Sequence, residues 1–92
     1  MATVELSKTL APYFRDGRLI VIPRRRAARL AVLDVLASEF EPGQRYTEKT
    51  VNSVLSRYNP DFCTLRRYLV DEDFMARDEG AYWRVGGTVE IG

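Results

Sequence analysis

Arginines supply most of the chemistry that the side chains of this chain could perform. Adjacent Arg66 and Arg67 stand among helix-forming apolar residues in the stretch TLRRYL (64–69), and Arg24–Arg26 form a second cluster. A guanidinium presents N–H donors in a planar fork, which fits a phosphate or the edge of guanine and fits a carboxylate equally well. The arginines therefore predict either nucleic-acid contacts or ion pairs that hold the fold together.

Catalytic and metal-binding side chains are scarce. The chain has no histidine and one cysteine, Cys63, so the usual general base, the usual metal ligand and an internal disulfide are all missing. It contains no G-x-S-x-G element and no glycine-rich phosphate loop. We therefore expect a non-enzymatic domain with no cofactor and no metal site.

Length and composition are those of one small folded domain. The 92 residues are 46% hydrophobic and 29% charged, which is ordinary for a single domain with one core. No apolar run approaches the ~20 residues that span a bilayer, and the N-terminus lacks the pattern of a signal peptide. We expect a single domain over residues 1–92, located in the cytoplasm and without a membrane partner.

Charge is divided unevenly along the chain. Residues 1–58 carry ten Lys/Arg and six Asp/Glu, whereas residues 59–92 carry four arginines and seven Asp/Glu. The TLRRYL stretch thus lies in the acidic half, close to the acidic runs 71–73 and 78–79. Because affinity for DNA depends largely on neutralising phosphates, these acidic neighbours count against DNA binding.

Turn signals divide the chain into short elements. Apolar spacing predicts a helix over about 3–14, and the β-branched run 19–22 predicts a buried strand. A second helix is expected over about 24–40, between Pro23 and Pro42-Gly43. Its apolar arc is so wide that it is either the central helix of the domain or half of a dimer contact.

Helix caps and a turn place the remaining elements. Thr47 is expected to cap a third helix that Asn59-Pro60 closes, and Asn59 or Asp61 to cap a fourth with Pro60 in its first turn. Residues 74–85 predict a β-hairpin around the turn 78–80, and residues 88–91 either add a strand or fray. The order predicts an α+β fold resembling a winged helix: a helix-turn-helix pair followed by a β-hairpin, with an extra N-terminal helix and short strand.

Helical geometry separates the two arginines of TLRRYL. At about 100° per residue, Arg66 falls about 40° from the apolar stripe centred near Phe62, so it is expected to be structural. A partly buried guanidinium needs a partner, and Glu48 is the favoured one, followed by Asp61. The outward-facing residues are expected to be Thr64, Arg67 and Tyr68.

The chain resembles a known prokaryotic family, the uncharacterised domain of unknown function 2087. The resemblance is carried by FRDGRL (14–19), IPRRR (22–26), VLDVLASEFEPGQRYTEKTVNSVL (32–55), TLRRYLVD (64–71) and ARDEGAYWR (76–84). It implies a small domain that occurs alone or attached to helix-turn-helix regulators, and it implies no settled activity.

Two functions are consistent with these residues. The first is a non-enzymatic domain linked to prokaryotic transcription control that contacts duplex DNA. The second is a protein-interaction or dimerisation module that uses its acidic and basic halves and the wide apolar arc to bind another copy or another regulator. In the first, the nucleic-acid-binding residues would be Thr64, Arg67, Tyr68, Arg24, Arg25 and Arg26.

Overall fold

The computed structural model describes residues 10–88, which form an α+β domain. Three helices and two small antiparallel sheets lie in this range, so the α+β class is confirmed. The elements are β1 (Phe14–Arg15), β2 (Arg18–Leu19), α1 (Arg26–Ala37), β3 (Arg45–Thr47), α2 (Glu48–Ser56), α3 (Phe62–Asp71), β4 (Met75–Asp78) and β5 (Ala81–Arg84).

The N-terminal part differs from the sequence prediction. Most of the helix expected over 3–14 lies outside the described residues, and residues 11–13 form a turn that leads into β1. Asp16 and Gly17 adopt positive φ values of 53° and 76° and close a short hairpin between β1 and β2. The buried strand expected over 19–22 is wrong beyond Leu19, because this hairpin ends there and leaves Ile20 and Val21 51% and 49% exposed.

Helix α1 buries one face in the core. It is shorter at both ends than the expected 24–40, and its buried side chains are Val32, Leu33, Leu36 and Ala37. No large apolar side chain of α1 is exposed in the described structure. The centre of the wide apolar arc is therefore covered by the chain itself, whereas Leu30, Ala31 and Val35 beside it are only partly buried.

Helices α2 and α3 begin where capping residues predict. The Thr47 hydroxyl accepts a hydrogen bond of 3.1 Å from the N–H of the third residue of α2, as expected of a cap. Asp61 is the N-cap of α3, but its carboxylate accepts from the Thr64 hydroxyl at 2.8 Å rather than from a backbone N–H. Pro60 precedes the helix and does not lie in its first turn, because α3 starts at Phe62.

A three-stranded sheet completes the fold. Strands β4 and β5 form the expected hairpin, and Glu79 and Gly80 turn it with φ values of 49° and 81°, as two-residue turns of type I′ require. Strand β3 was not predicted; it pairs with β5, with Tyr46 opposite Tyr82, so the strand order is β3-β5-β4. The sheet thereby joins the segment before α2 to the hairpin after α3.

A buried arginine attaches the end of the sheet to α1. The Arg84 side chain, 8% exposed, donates to the carbonyl oxygens of Gly86 at 2.9 Å and Phe40 at 3.2 Å, and to that of Thr88. Asp34 of α1 accepts from the N–H and hydroxyl of Thr88 at 2.6 and 2.7 Å. These bonds hold residues 84–88 against α1, and the rest of the 88–91 segment lies outside the described residues.

Candidate nucleic-acid interface

Arg66 and Arg67 have different surroundings. The Arg66 side chain is 19% exposed, its Nε lies 3.9 Å from Glu48 Oε1, and its Nη1 donates to Asn52 Oδ1. Arg67 is exposed, and its side chain has no hydrogen bond or ion pair with another residue of the range 10–88. The guanidinium of Arg66 is therefore bound within the fold, whereas that of Arg67 is available to a ligand.

Glu48 connects α3 to the hairpin. Besides Arg66, it contacts β5, because its Oε1 accepts a 2.9 Å hydrogen bond from the hydroxyl of Tyr82. Burial raises the pKa of Tyr82, and the bond to Glu48 raises it further. Both partners of Glu48 belong to the same chain, so we interpret the Glu48 carboxylate as a group that holds α3 and the hairpin in place around the site.

A groove of about 400 Å³ lies between α3 and the β4–β5 hairpin. Its lining contains three guanidinium groups and one carboxylate, so its charge is positive. The guanidinium of Arg77 on β4 lies 5.5 Å from the centre of the Tyr82 ring. The residues lining the groove are Cys63, Thr64, Arg66, Arg67, Val70, Asp71, Arg77 and Tyr82.

The other two residues predicted to face outward on α3 differ from each other. Thr64 lines the groove and is bonded to the cap of its own helix. Tyr68 is half-buried and packs against the core, with the Arg29 guanidinium 4.6 Å from the centre of its ring. The outward placement of Tyr68 is therefore wrong, because α1 packs against this side of α3.

One arginine of the Arg24–Arg26 cluster, at the start of α1, pairs with a carboxylate of the same chain. Arg26 binds Glu72 through two bonds, of 3.1 Å from Nε and 2.9 Å from Nη2, and Arg29 Nη2 lies 3.8 Å from the same carboxylate. The hydrogen bond from Arg26 lowers the pKa of Glu72. Arg24 and Arg25 are exposed, and within the described chain their side chains have no hydrogen bond or ion pair.

Sequence reasoning missed Arg77 as a site residue. It stands directly opposite Tyr82 in the β4–β5 register, and paired residues in antiparallel strands project to the same face of the sheet. Because Tyr82 is buried against the helices, Arg77 must face α3. Its place in the hairpin register could have revealed this, once the hairpin had been predicted.

The fold and the groove define a small α+β domain with an arginine-lined groove between a helix and a hairpin. Residues 18–84 match the model of the family described as "Uncharacterized protein conserved in bacteria (DUF2087)", so the chain belongs to this bacterial family. No curated protein and no solved structure matches the chain.

The described residues provide neither a membrane-spanning helix nor a metal-binding cluster. Within residues 10–88, no helix is long and apolar enough to cross a membrane. The same residues contain no group of three or more His, Cys, Asp or Glu side chains arranged to hold a metal ion.

Proposed function

We propose that this chain is a winged-helix-like domain that binds duplex DNA in bacterial transcription control. The observation that supports this best is the topology. Helices α2 and α3 are followed by the β4–β5 hairpin, and β3, just before α2, joins that hairpin in the order β3-β5-β4. In winged helices the strand before the helix pair joins the two wing strands in this order, and the second helix of the pair enters the major groove.

The exposed side of α3 has suitable chemistry for this role. Helix α3 has ten residues and is therefore about 15 Å long, and the major groove, ~12 Å wide, admits one helix. Arg67 is exposed on it and Thr64, three residues earlier, lies on the same side. Residues of this kind near the start of a recognition helix contact bases or phosphates.

Acidic residues near the proposed interface limit its affinity. Asp71, Asp73, Asp78 and Glu79 are all exposed, and they lie at the end of α3 and around the tip of the hairpin. Like-charge repulsion between these carboxylates and the DNA backbone weakens binding and is screened by salt. We therefore expect weak binding to random duplex DNA that is detectable at low salt.

Fluorescence anisotropy with a labelled random duplex tests the proposal. Arg67→Ala is expected to weaken binding and to reduce the slope of log K against log salt by about 0.9. The Arg24→Ala/Arg25→Ala double variant should reduce the slope if this end of α1 also reaches the backbone; Arg26 is left intact because its removal would free Glu72.

Arg57→Ala is the matched control. Arg57 lies at the C-cap of α2 with its side chain 68% exposed. Its ion pair with Glu39, at 4.0 Å, lies on the surface and contributes little, so its removal lowers the net charge by the same amount outside the groove. It should leave the affinity nearly unchanged. No binding of the unaltered chain at low salt would overturn the proposed function.

A protein-interaction or dimerisation module without DNA binding is the second candidate. Exposed and adjacent Ile20 and Val21 favour it, because apolar residues grouped on a surface commonly mark contacts with other proteins. Sedimentation of the unaltered chain and of an Ile20→Ser/Val21→Ser variant tests this candidate. Self-association that the variant abolishes, together with absent DNA binding, would favour it.

A further inference from the structure

Two guanidinium groups on opposite walls of the groove are left unpaired by the fold. Arg67 lies on the α3 wall and Arg77 on the β4 wall. In the range 10–88 neither guanidinium forms a hydrogen bond or an ion pair, whereas that of the third arginine of the groove, Arg66, is hydrogen-bonded to Asn52 and paired with Glu48. Two donors thus remain for a ligand that enters between the helix and the hairpin.

The groove suits an anion that carries a single charge. The charge of Arg66 is balanced by Glu48. Arg67 and Arg77 contribute two further positive charges and Asp71, on the same lining, contributes one negative charge. The groove volume of about 400 Å³ falls within the range typical of ligand sites, roughly 300–1,000 Å³. A dianionic phosphate or a polyphosphate would carry more charge than this lining neutralises, and Asp71 would repel the excess.

Stacking leaves the hydrogen-bonding edge of Arg77 available. Its guanidinium lies over the Tyr82 ring, and a guanidinium placed over an aromatic ring keeps its N–H groups available to acceptors beside the ring. A phosphodiester carries one negative charge and presents two non-bridging oxygens in different directions, so it can accept from both donors.

We propose that this groove binds one phosphodiester group, with Arg67 and Arg77 donating hydrogen bonds from its two walls. The inference deepens the proposed function and rests on it where the phosphodiester belongs to duplex DNA. It gives Arg67 the role of fixing the position of the backbone, because contacts to phosphates orient a protein on DNA and carry no sequence information directly.

The only cysteine of the chain provides a direct measurement of occupancy. Cys63 is exposed and lines the groove. Its rate of alkylation by the neutral reagent iodoacetamide, followed by intact mass, should fall severalfold when a ligand fills the groove. The probes are a random DNA duplex and thymidylyl-thymidine, a dinucleoside monophosphate with a single phosphodiester.

Substitutions identify the donors. Arg67→Ala and Arg77→Ala should each reduce protection of Cys63 and weaken duplex binding by about tenfold, the loss expected for one charge-assisted hydrogen bond. If the two arginines share one phosphate, the double variant should lose less than the product of the two single losses. Arg57→Ala again serves as the control, and thermal melts establish that each variant is folded.

The outcomes separate this inference from the proposed function. If the duplex binds but Arg67→Ala and Arg77→Ala behave like Arg57→Ala, the groove proposal is overturned and DNA binding remains. If the dinucleotide protects Cys63 in an arginine-dependent way but the duplex does not bind, the groove proposal is supported and DNA binding is overturned. If neither probe protects Cys63, the groove proposal is overturned.

Discussion

Replacing Arg66 with alanine should lower the free energy of unfolding by about 2 kcal/mol. The side chain is 19% exposed, and the substitution removes its hydrogen bond to the half-buried Asn52, for which a charged donor contributes about 1.5 kcal/mol. The ion pair with Glu48 adds at most about 0.5 kcal/mol, because it is 3.9 Å long and Glu48 is 47% exposed. Arg67→Ala removes no internal contact of the described structure and should change stability by less than about 0.5 kcal/mol.

Thermal and urea denaturation of the two adjacent variants measures this difference. A domain of this size loses about 4–8 °C in Tm per kcal/mol, so Arg66→Ala should melt about 8–16 °C below the unaltered chain and Arg67→Ala within about 4 °C of it. Both variants lose one positive charge on the same helix, so each is a control for the general electrostatic effect of the other.

A double-mutant cycle shows which partner of Arg66 accounts for the lost stability. If Asn52 is the main partner, Asn52→Ala combined with Arg66→Ala should cost less than the two single changes added together, by about 0.5–3 kcal/mol. Equal stability of Arg66→Ala and Arg67→Ala would refute the separation of a structural from a ligand-binding arginine.

Three further substitutions or conditions test other parts of the structure. Arg84→Met should cost about 3 kcal/mol in urea denaturation, because the carbonyl of Phe40 and its neighbours lose a buried donor; an unchanged midpoint would contradict this. Gly86→Ala should destabilise the fold by more than about 1 kcal/mol, since a Cβ there would lie 2.4 Å from the Asp73 carbonyl oxygen; a variant as stable as the unaltered chain would show that this contact relaxes without cost. Burial, and then the hydrogen bond that its hydroxyl donates to Glu39, raises the pKa of Tyr58 from 10.0 to about 12. Because the folded chain then keeps this proton longer than the unfolded chain does, the stabilisation is complete below pH 10 and declines as the pH rises to about 12; Tyr58→Phe should remove that part of the pH dependence.

Local signals were sufficient for the elements around the groove. The Thr47 cap and the positive-φ turn before β5 depend on residues within four positions of each other, so sequence spacing reveals them. Strand β3 has three residues and pairs with β5 far along the chain. Neither its length nor its composition distinguishes it from a loop, and only the tertiary pairing makes it a strand.

The helical projection of α3 was correct for the side that faces α2 and the hairpin and wrong for the side that faces α1. It separated Arg66 from Arg67, because the apolar stripe packs toward α2 and the hairpin. It placed Tyr68 in solvent because it could not include α1, which packs on the adjacent side of α3 and brings Arg29 to the tyrosine ring. A single apolar stripe in the sequence shows where the buried face of a helix is centred. It underestimates the width of that face when the helix packs against two other helices.

Charge counted by segment predicts only part of the interface. The arginines of the basic half predicted either phosphate contacts or ion pairs, and Arg26 forms an ion pair, because Glu72 of the acidic half uses its guanidinium. The unpaired arginines of the groove, Arg67 and Arg77, belong to the acidic half, where the count predicted repulsion. An anion binds where several guanidinium groups lie close together and have no carboxylate or amide partner within the fold. The packing of α1, α3 and the hairpin decides where such groups lie. The groove is therefore a better candidate for the principal phosphate contact than the Arg24–Arg26 cluster, and Arg77→Ala should weaken duplex binding more than Arg24→Ala does.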